Sequence, residues 1–230
     1  MPAAPVWLLD LDNTLHDAGQ HVFPRINTAM TDYVARRLNL PPADASDLRI
    51  DYWRRYGATL LGMIRHHAID PHEFLRETHP FPDLHQLVAR NHHLRDTLRR
   101  LPGRKVVVTN GPRAYASAVL QLLGIAGMLD GLVSVEDMRF AGRWHPKPSR
   151  RMFRLIAARL RVPAARCVMV EDSIANLAGA RAVGMRTVLI TGMTYRSGAA
   201  GYRPRAGAGS RVGVQLQSIS LLPRLRSRLR

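Results

Sequence analysis

The 230-residue sequence predicts an α/β fold, a doubly wound parallel sheet whose chain is interrupted by an all-helical block. Three observations carry this reading. Short apolar runs recur along the chain and stay apolar instead of alternating, as strands covered on both faces do. Helix-like segments bounded by Gly or Pro separate the later runs. Each run ends abruptly in acidic or hydrogen-bonding side chains, at the strand ends where open α/β sheets hold their ligands.

Taken in order, VWLLD at 6–10 predicts the first strand, and KVVVTN at 105–110, LVSVED at 132–137, CVMVED at 167–172 and TVLIT at 187–191 predict the next four. Ala114 to Leu123, Ser149 to Leu160 and Ser173 to Val183 predict the helices between them. Between the first two strands the chain reads as helix at Arg25 to Leu38, Ala43 to Ala68, Pro71 to Thr78 and Leu84 to Arg100, with Ile26, Met30, Val34 and Leu38 at helical spacing. A parallel crossover needs only about a dozen residues, so these segments predict an inserted helical domain over 17–95, with 1–16 and 96–230 forming the α/β core. Leaving just after the first strand, such an insert would sit above the strand ends and could close over a ligand. SGAAGYRPRAGAGS at 197–210 predicts a flexible loop, VGVQL at 212–216 a last edge strand, and SLLPRLRSRLR a short basic helix with Leu221, Leu222, Leu225 and Leu229 as its apolar stripe.

Composition excludes several classes. With 46% hydrophobic residues the chain supports a sizeable core. Cys167 is its single cysteine, which rules out a disulfide framework and CxxC sites and fits a reducing, cytoplasmic setting. The N-terminal MPAAPVW lacks a charged region followed by an apolar stretch, so no signal peptide is expected, and no apolar run approaches the ~20 residues of a membrane span. The formal charge is +17, but only Lys105 and Lys147 are lysines, and ten arginines with no carboxylate follow Asp172. GC-rich coding accounts for arginine in place of lysine as well as a nucleic-acid partner does, so no nucleic acid is expected from the charge alone. Adjacent pairs such as His66-His67 point about 100° apart on a helix, HEFLR at 72–76 misses the zinc HExxH pattern, and no GxGxxG or P-loop occurs.

Chemistry concentrates at the strand ends. Asp10 and Asp12 in Asp10-Leu11-Asp12-Asn13-Thr14-Leu15 place two carboxylates two residues apart after a buried strand. So close a pair calls for a divalent metal or a shared proton, the alternative being an Asp-rich turn that caps the next segment. Thr109 offers a hydroxyl, and the amides of Asn110 and Gly111 can face a phosphate beyond the second strand. Lys147 sits between Pro146 and Pro148, which restrict its backbone.

DLDNTL at 10–15 resembles the first signature of the haloacid dehalogenase superfamily of phosphatases. The other signatures follow in order: Thr109-Asn110-Gly111, Lys147 in His-Pro-Lys-Pro, and Glu171-Asp172-Ser173 with Asn176. The helical insert after the first motif is similar to the cap of the superfamily's first subclass. The resemblance implies Asp10 as nucleophile through an aspartyl phosphate, Asp12 as general acid and base, and Lys147 as the charge that offsets the transferring phosphoryl. It implies Mg2+ held by Asp10, the backbone carbonyl of Asp12 and Asp172, with Glu171 as a further or water-mediated ligand. Dehalogenases of the superfamily lack the second aspartate, so Asp12 makes the chain resemble a phosphatase acting on a small phosphorylated substrate. Asp51 to Gly62, the Asp172-Ser173-x-x-Asn176 form and Leu222-Pro223 are similar to pyrimidine 5'-nucleotidases of the yeast type, which implies UMP or CMP as substrate. Arg54, Arg55 and Tyr56 are then candidates for substrate contact in the cap, although Tyr52, Tyr56 and Leu60 at i, i+4, i+8 also suit a packing stripe. A phosphatase for phosphoglycolate or a sugar phosphate, a phosphoglucomutase, and a noncatalytic binding protein with a basic tail stay open as alternatives.

Overall fold

The parallel sheet is built from β1 (Val6–Leu9), β2 (Arg104–Val108), β3 (Gly131–Val133), β6 (Cys167–Glu171), β7 (Arg186–Ile190) and β8 (Val214–Leu216), while β4 (Arg139–Phe140) and β5 (Arg143–Trp144) form a small antiparallel hairpin. In the computed structural model, which describes residues 4–89, 91–193 and 213–227, the strand order is β3-β2-β1-β6-β7-β8. The chain therefore builds outward in one direction from β1 and, after β3, restarts on the other side of it. The reversal falls between β1 and β6, which pair in register from Val6 opposite Cys167 to Leu9 opposite Val170. In such sheets the crevice at the reversal is the ligand position. The predicted loop at 197–210 and Leu229 lie outside the described residues.

Both faces of the sheet are covered, which is why its strands read as unbroken apolar runs. Val6 and Leu8 of β1 join Val106, Val108 and Met169 in one buried cluster with Met152, Phe153 and Ile156 of α8 (Arg150–Arg159) and Leu177 and Ala180 of α9 (Ile174–Arg181). Trp7, Leu9, Val107, Val168 and Val170 are equally buried and, by the two-residue period of a strand, face the other side. The third run departs from expectation halfway along. Only Gly131–Val133 enters the sheet, because Ser134 and Asp137 form a reciprocal capping box that turns Val135–Met138 into a 3-10 helix. The C-terminal segment is also 3-10, over Ile219–Ser227, with Leu222 and Leu225 buried.

The chain divides into two compact units, Gln20–Asp83 and the remainder. The first is all helix: α1 (Val22–Leu38), α2 (Pro42–Tyr56), α3 (Thr59–His67) and α4 (Pro71–Thr78). Its core includes Ile26, Tyr33, Val34, Leu60, Met63 and Phe74, with Tyr33 and Phe74 meeting edge to face at 5.1 Å. The helix predicted over Ala43 to Ala68 is broken, because Gly57 takes φ 81° and closes α2. Tyr52, Tyr56 and Leu60 are therefore not one stripe. Tyr52 is buried on α2, its hydroxyl 2.7 Å from His67 Nε2, and Leu60 belongs to α3.

The segment predicted as one helix from Leu84 to Arg100 is likewise two, α5 (Leu84–Leu87) and α6 (His92–Arg100), with Asn91 capping the second through the His93 amide. Both belong to the α/β unit and not to the helical insert expected to reach residue 95. Leu94 and Leu98 are fully buried, α6 packs on the 3-10 helix at Ile219–Ser227, and α5 packs on α7 (Arg113–Leu122). Among the described residues no helix is long and apolar enough to cross a membrane.

One glycine sets how closely α9 approaches the sheet's loops. A Cβ at Gly179 would lie 2.2 Å from the carbonyl oxygen of Pro148, which follows a cis peptide bond. Alanine there gains up to about 1 kcal/mol of helix propensity and loses about 1–3 kcal/mol to overpacking against backbone. Gly179→Ala should thus lower stability by about 1–2 kcal/mol in urea denaturation, whereas a stabilised variant would show that the loop yields freely.

Candidate active site

The site begins with backbone. The Asp10 amide donates to the Val170 carbonyl at 2.9 Å, which extends the β1–β6 ladder by one residue and carries Asp10 to the end of β6 beside Glu171. Thr109 extends β2 in the same way, its amide donating to Val133 at 3.0 Å. After Asp10 the chain turns sharply. Asn13 takes φ 59°, and its side-chain oxygen accepts from the amides of Ala18 and Gly19 at 3.2 and 3.0 Å, which ties the turn down. Thr14 closes it by donating to Asp10 Oδ2 at 3.0 Å.

Lys147 lies at the centre, 2% exposed. Its ammonium donates to Asp10 Oδ1 at 2.5 Å and to Glu171 Oε2 at 2.7 Å. Asn110 holds its backbone twice, accepting from the Lys147 amide at 2.8 Å and donating to the Lys147 carbonyl at 3.0 Å. The second strand's end thereby fixes the lysine, a role for the Asn110 side chain that its residue type alone does not announce. The Gly111 amide, expected to face a phosphate, instead donates to Thr109 Oγ1 at 2.9 Å within its own loop. The Tyr115 ring lies against this loop, 3.2 Å from where a Cβ at Gly111 would stand.

Burial and crowding set the charges. Desolvation, then Glu171, push the Asp10 carboxyl up to about 7, with Lys147 pulling the other way and Asp12 adding to the rise. Glu171 is pushed up to about 7 by burial, again against Lys147, with Asp172 adding repulsion. Burial alone would depress Lys147, but Asp10 and Glu171 more than reverse this and hold it above the ordinary lysine range.

Asp10, Glu171 and Asp172 each place a carboxylate oxygen within 4.8 Å of the others. Lys147 contacts two of these three carboxylates, and those two already resist ionising. All-oxygen donors with surplus negative charge suit a hard divalent cation such as Mg2+. Asp12 stands apart from this cluster, its Oδ1 2.6 Å from the Tyr115 hydroxyl and 3.0 Å from His16 Nε2. The sequence reading singled out neither Tyr115 nor His16. The signal for His16 was its i+4 spacing from Asp12, and for Tyr115 its place in the first turn of the helix that follows Gly111.

Asn176 lies in the first turn of α9, its amide 3.5 Å from the capping Ser173 Oγ, and Glu171 Oε1 accepts from the Ser173 amide at 3.0 Å. Arg54, Arg55 and Tyr56 belong to the helical unit. There Arg54 and Arg55 are exposed, Arg55 pairs with Asp51 at 2.8 Å, and the Tyr56 hydroxyl is 2.7 Å from His66 Nε2.

Residues 6–184 match the haloacid dehalogenase-like hydrolase family. The chain belongs to this family. Among curated relatives, it is 23% identical over 201 residues to phosphate metabolism protein 8 of Saccharomyces cerevisiae, across 82% of this chain and 62% of that one. It is 34% identical over 128 residues to the plasmid phosphoglycolate phosphatase of Cupriavidus necator, across 56% of this chain and 50% of that one. The matches thus span less than two thirds of each relative's length. Among solved structures, a haloacid dehalogenase phosphatase from Thermococcus onnurineus superposes with a TM-score of 0.62 over 97% of this chain and 98% of the other, at 19% identity. At that identity the likeness is one of fold. The haloacid dehalogenase-like core here is the α/β unit that carries Asp10, Asp12, Thr109, Lys147 and Asp172.

Two outcomes follow from the charges. Asp10 and Glu171 have raised values in the folded state, so in metal-free protein their contribution to stability falls as pH rises from about 4 through 7, while Lys147 stays charged throughout that window. Added Mg2+ should therefore raise the urea midpoint more at pH 8 than at pH 5, and an equal shift at both would show that the ion binds elsewhere. Lys147→Met strands two buried carboxylates and should cost about 3–5 kcal/mol at pH 8, with a smaller loss at pH 5, measured in the same titrations.

Proposed function

We propose that this protein is a Mg2+-dependent phosphomonoester hydrolase that works through an aspartyl-phosphate intermediate. One arrangement carries the reading: a buried aspartate bonded to a buried lysine, two further carboxylates beside it, and a separate, partly buried Asp12. An Asp10 oxygen attacks phosphorus and the ester P–O bond breaks, which splits one hard displacement into two easier ones. Asp12 protonates the departing alkoxide, then takes the proton of the water that hydrolyses the acyl phosphate. Lys147 balances charge on the phosphoryl oxygens, and Thr109 and Asn110 stand at the strand end where the phosphate would lie. Asp10, Asp172 and the Asp12 carbonyl would hold the ion, with Glu171 as an outer ligand, and the ion would supply charge neutralisation between these carboxylates and the substrate phosphate.

Within this class we favour pyrimidine nucleoside 5'-monophosphates, UMP or CMP. The support is sequence likeness in the segment Asp51 to Gly62 and in the Asp172-Ser173-x-x-Asn176 form, with Arg54, Arg55 and Tyr56 as substrate contacts from an insert acting as a cap. The name of the Cupriavidus necator relative favours a second substrate, phosphoglycolate. A cytoplasmic setting accords with the single buried Cys167.

Phosphate release from UMP, CMP, phosphoglycolate, fructose 1-phosphate and 4-nitrophenyl phosphate tests both levels of the reading. Turnover should require Mg2+ and fall to background in Asp10→Asn. Faster turnover of phosphoglycolate than of either nucleotide would replace the substrate, and an inert wild type would overturn the phosphatase itself.

A further inference from the structure

Two donors converge on a single oxygen of Asp12. The Tyr115 hydroxyl lies 2.6 Å from Oδ1, His16 Nε2 lies 3.0 Å from the same atom, and the two donors are 3.4 Å apart. Tyrosine has one proton to give, and the shorter contact takes it to the carboxylate. A carboxylate oxygen only accepts, so Nε2 donates as well, and the ring's second nitrogen is Nδ1. That atom is buried and has no hydrogen-bond partner among the described residues. Both side chains are almost fully enclosed, Tyr115 at 4% and His16 at 2% exposure. They also arrive from different parts of the chain, His16 from the turn after β1 and Tyr115 from α7 after β2. Asp12 itself is only partly buried.

A carboxyl group gripped in this way has its Oδ1 lone pairs engaged, so when neutral it carries its proton on Oδ2. We propose that Tyr115 and His16 are positioning residues that hold Asp12 by Oδ1 and so assign proton transfer to Oδ2. The inference rests on Asp12 as the acid and base of the proposed reaction. In the first half the Oδ2–H bond breaks, its electron pair stays on the carboxylate, and the proton goes to the ester oxygen as that oxygen leaves phosphorus. In the second half an Oδ2 lone pair takes a proton from water as the water oxygen bonds to phosphorus. Neither donor exchanges its own proton. Their work is to hold the aspartate in one rotamer, since a misplacement of about 1 Å costs on the order of 100-fold in rate.

Leaving-group chemistry supplies the test. Nitrophenolate departs from 4-nitrophenyl phosphate without a proton, whereas the alkoxide of an alkyl phosphate needs one. Tyr115→Phe, which removes only the hydroxyl, should lower kcat/KM, which reports the first half alone, by about 10- to 100-fold for whichever alkyl phosphate of the panel is hydrolysed fastest, and lower kcat/KM for 4-nitrophenyl phosphate far less, the second half being common to both substrates. His16→Gln should show the same bias, and decides the matter alone if thermal melting shows Tyr115→Phe unfolded. Asp12→Asn should show the bias most strongly, and adding Tyr115→Phe to it should leave the ratio of the two substrates unchanged. Equal losses on both substrates in Tyr115→Phe and His16→Gln, beside a biased Asp12→Asn, would overturn the inference alone. An unbiased Asp12→Asn would overturn the acid role of Asp12 and the inference with it.

Discussion

The ammonium of Lys147, enclosed between Asp10 and Glu171, is the interaction on which the rest of the α/β unit's business end depends. A buried lysine without partners would shed its proton, and two buried carboxylates without a cation would take protons up. Each favours the other's charged form, but for the two carboxyls burial outweighs the help of Lys147. Asp172 adds a further negative group beside them, so the cluster is short of positive charge by design of its residue types. Reactivity and structural cost have the same origin here. A deficit of this kind is what a hard divalent cation can offset.

Such a cluster is useful only if its members cannot drift apart. The geometry is held from the backbone outward. Asp10 is the next rung of a central ladder, Asn110 bonds both polar groups of the Lys147 peptide, and Gly179 allows α9 to press against the carbonyl that follows. Each of these constraints ties together parts of the chain far apart in sequence, so the loops at the strand ends behave as extensions of the sheet rather than as free connections.

Much of this architecture was legible in the residues, and the reasons it was legible also mark where it stopped being so. Unbroken apolar runs reveal doubly covered strands because burial on both faces removes the alternation. The same rule misled at 132–137, where Val135 is buried by a 3-10 turn and apolar character alone does not separate the two. Gly57 and Asn91 are ordinary helix punctuation, but helical spacing on either side of each reads through as one long helix. Acidic residues and the lone Lys between prolines declared themselves by type and by position at strand ends. Tyr115 and the Asn110 side chain did not, because their roles lie in contacts 103 and 37 residues away along the chain, which no local pattern encodes.

The central place of β1 has a consequence for how the molecule comes into being. Val6 to Leu9 pair with Arg104 to Val107 on one side and with Cys167 to Val170 on the other. As the chain leaves the ribosome, its first strand has no neighbour until roughly a hundred more residues have been made, and its second only after about sixty more. The helices at 22–78 have contacts within reach from the outset and can collapse early, while the sheet must wait on distant pairing, the slow kind of folding. Asp10 is thus synthesised well before the residues that come to surround it. Asp10 remains chemically ordinary until β6 arrives and Glu171 and Lys147 close around it.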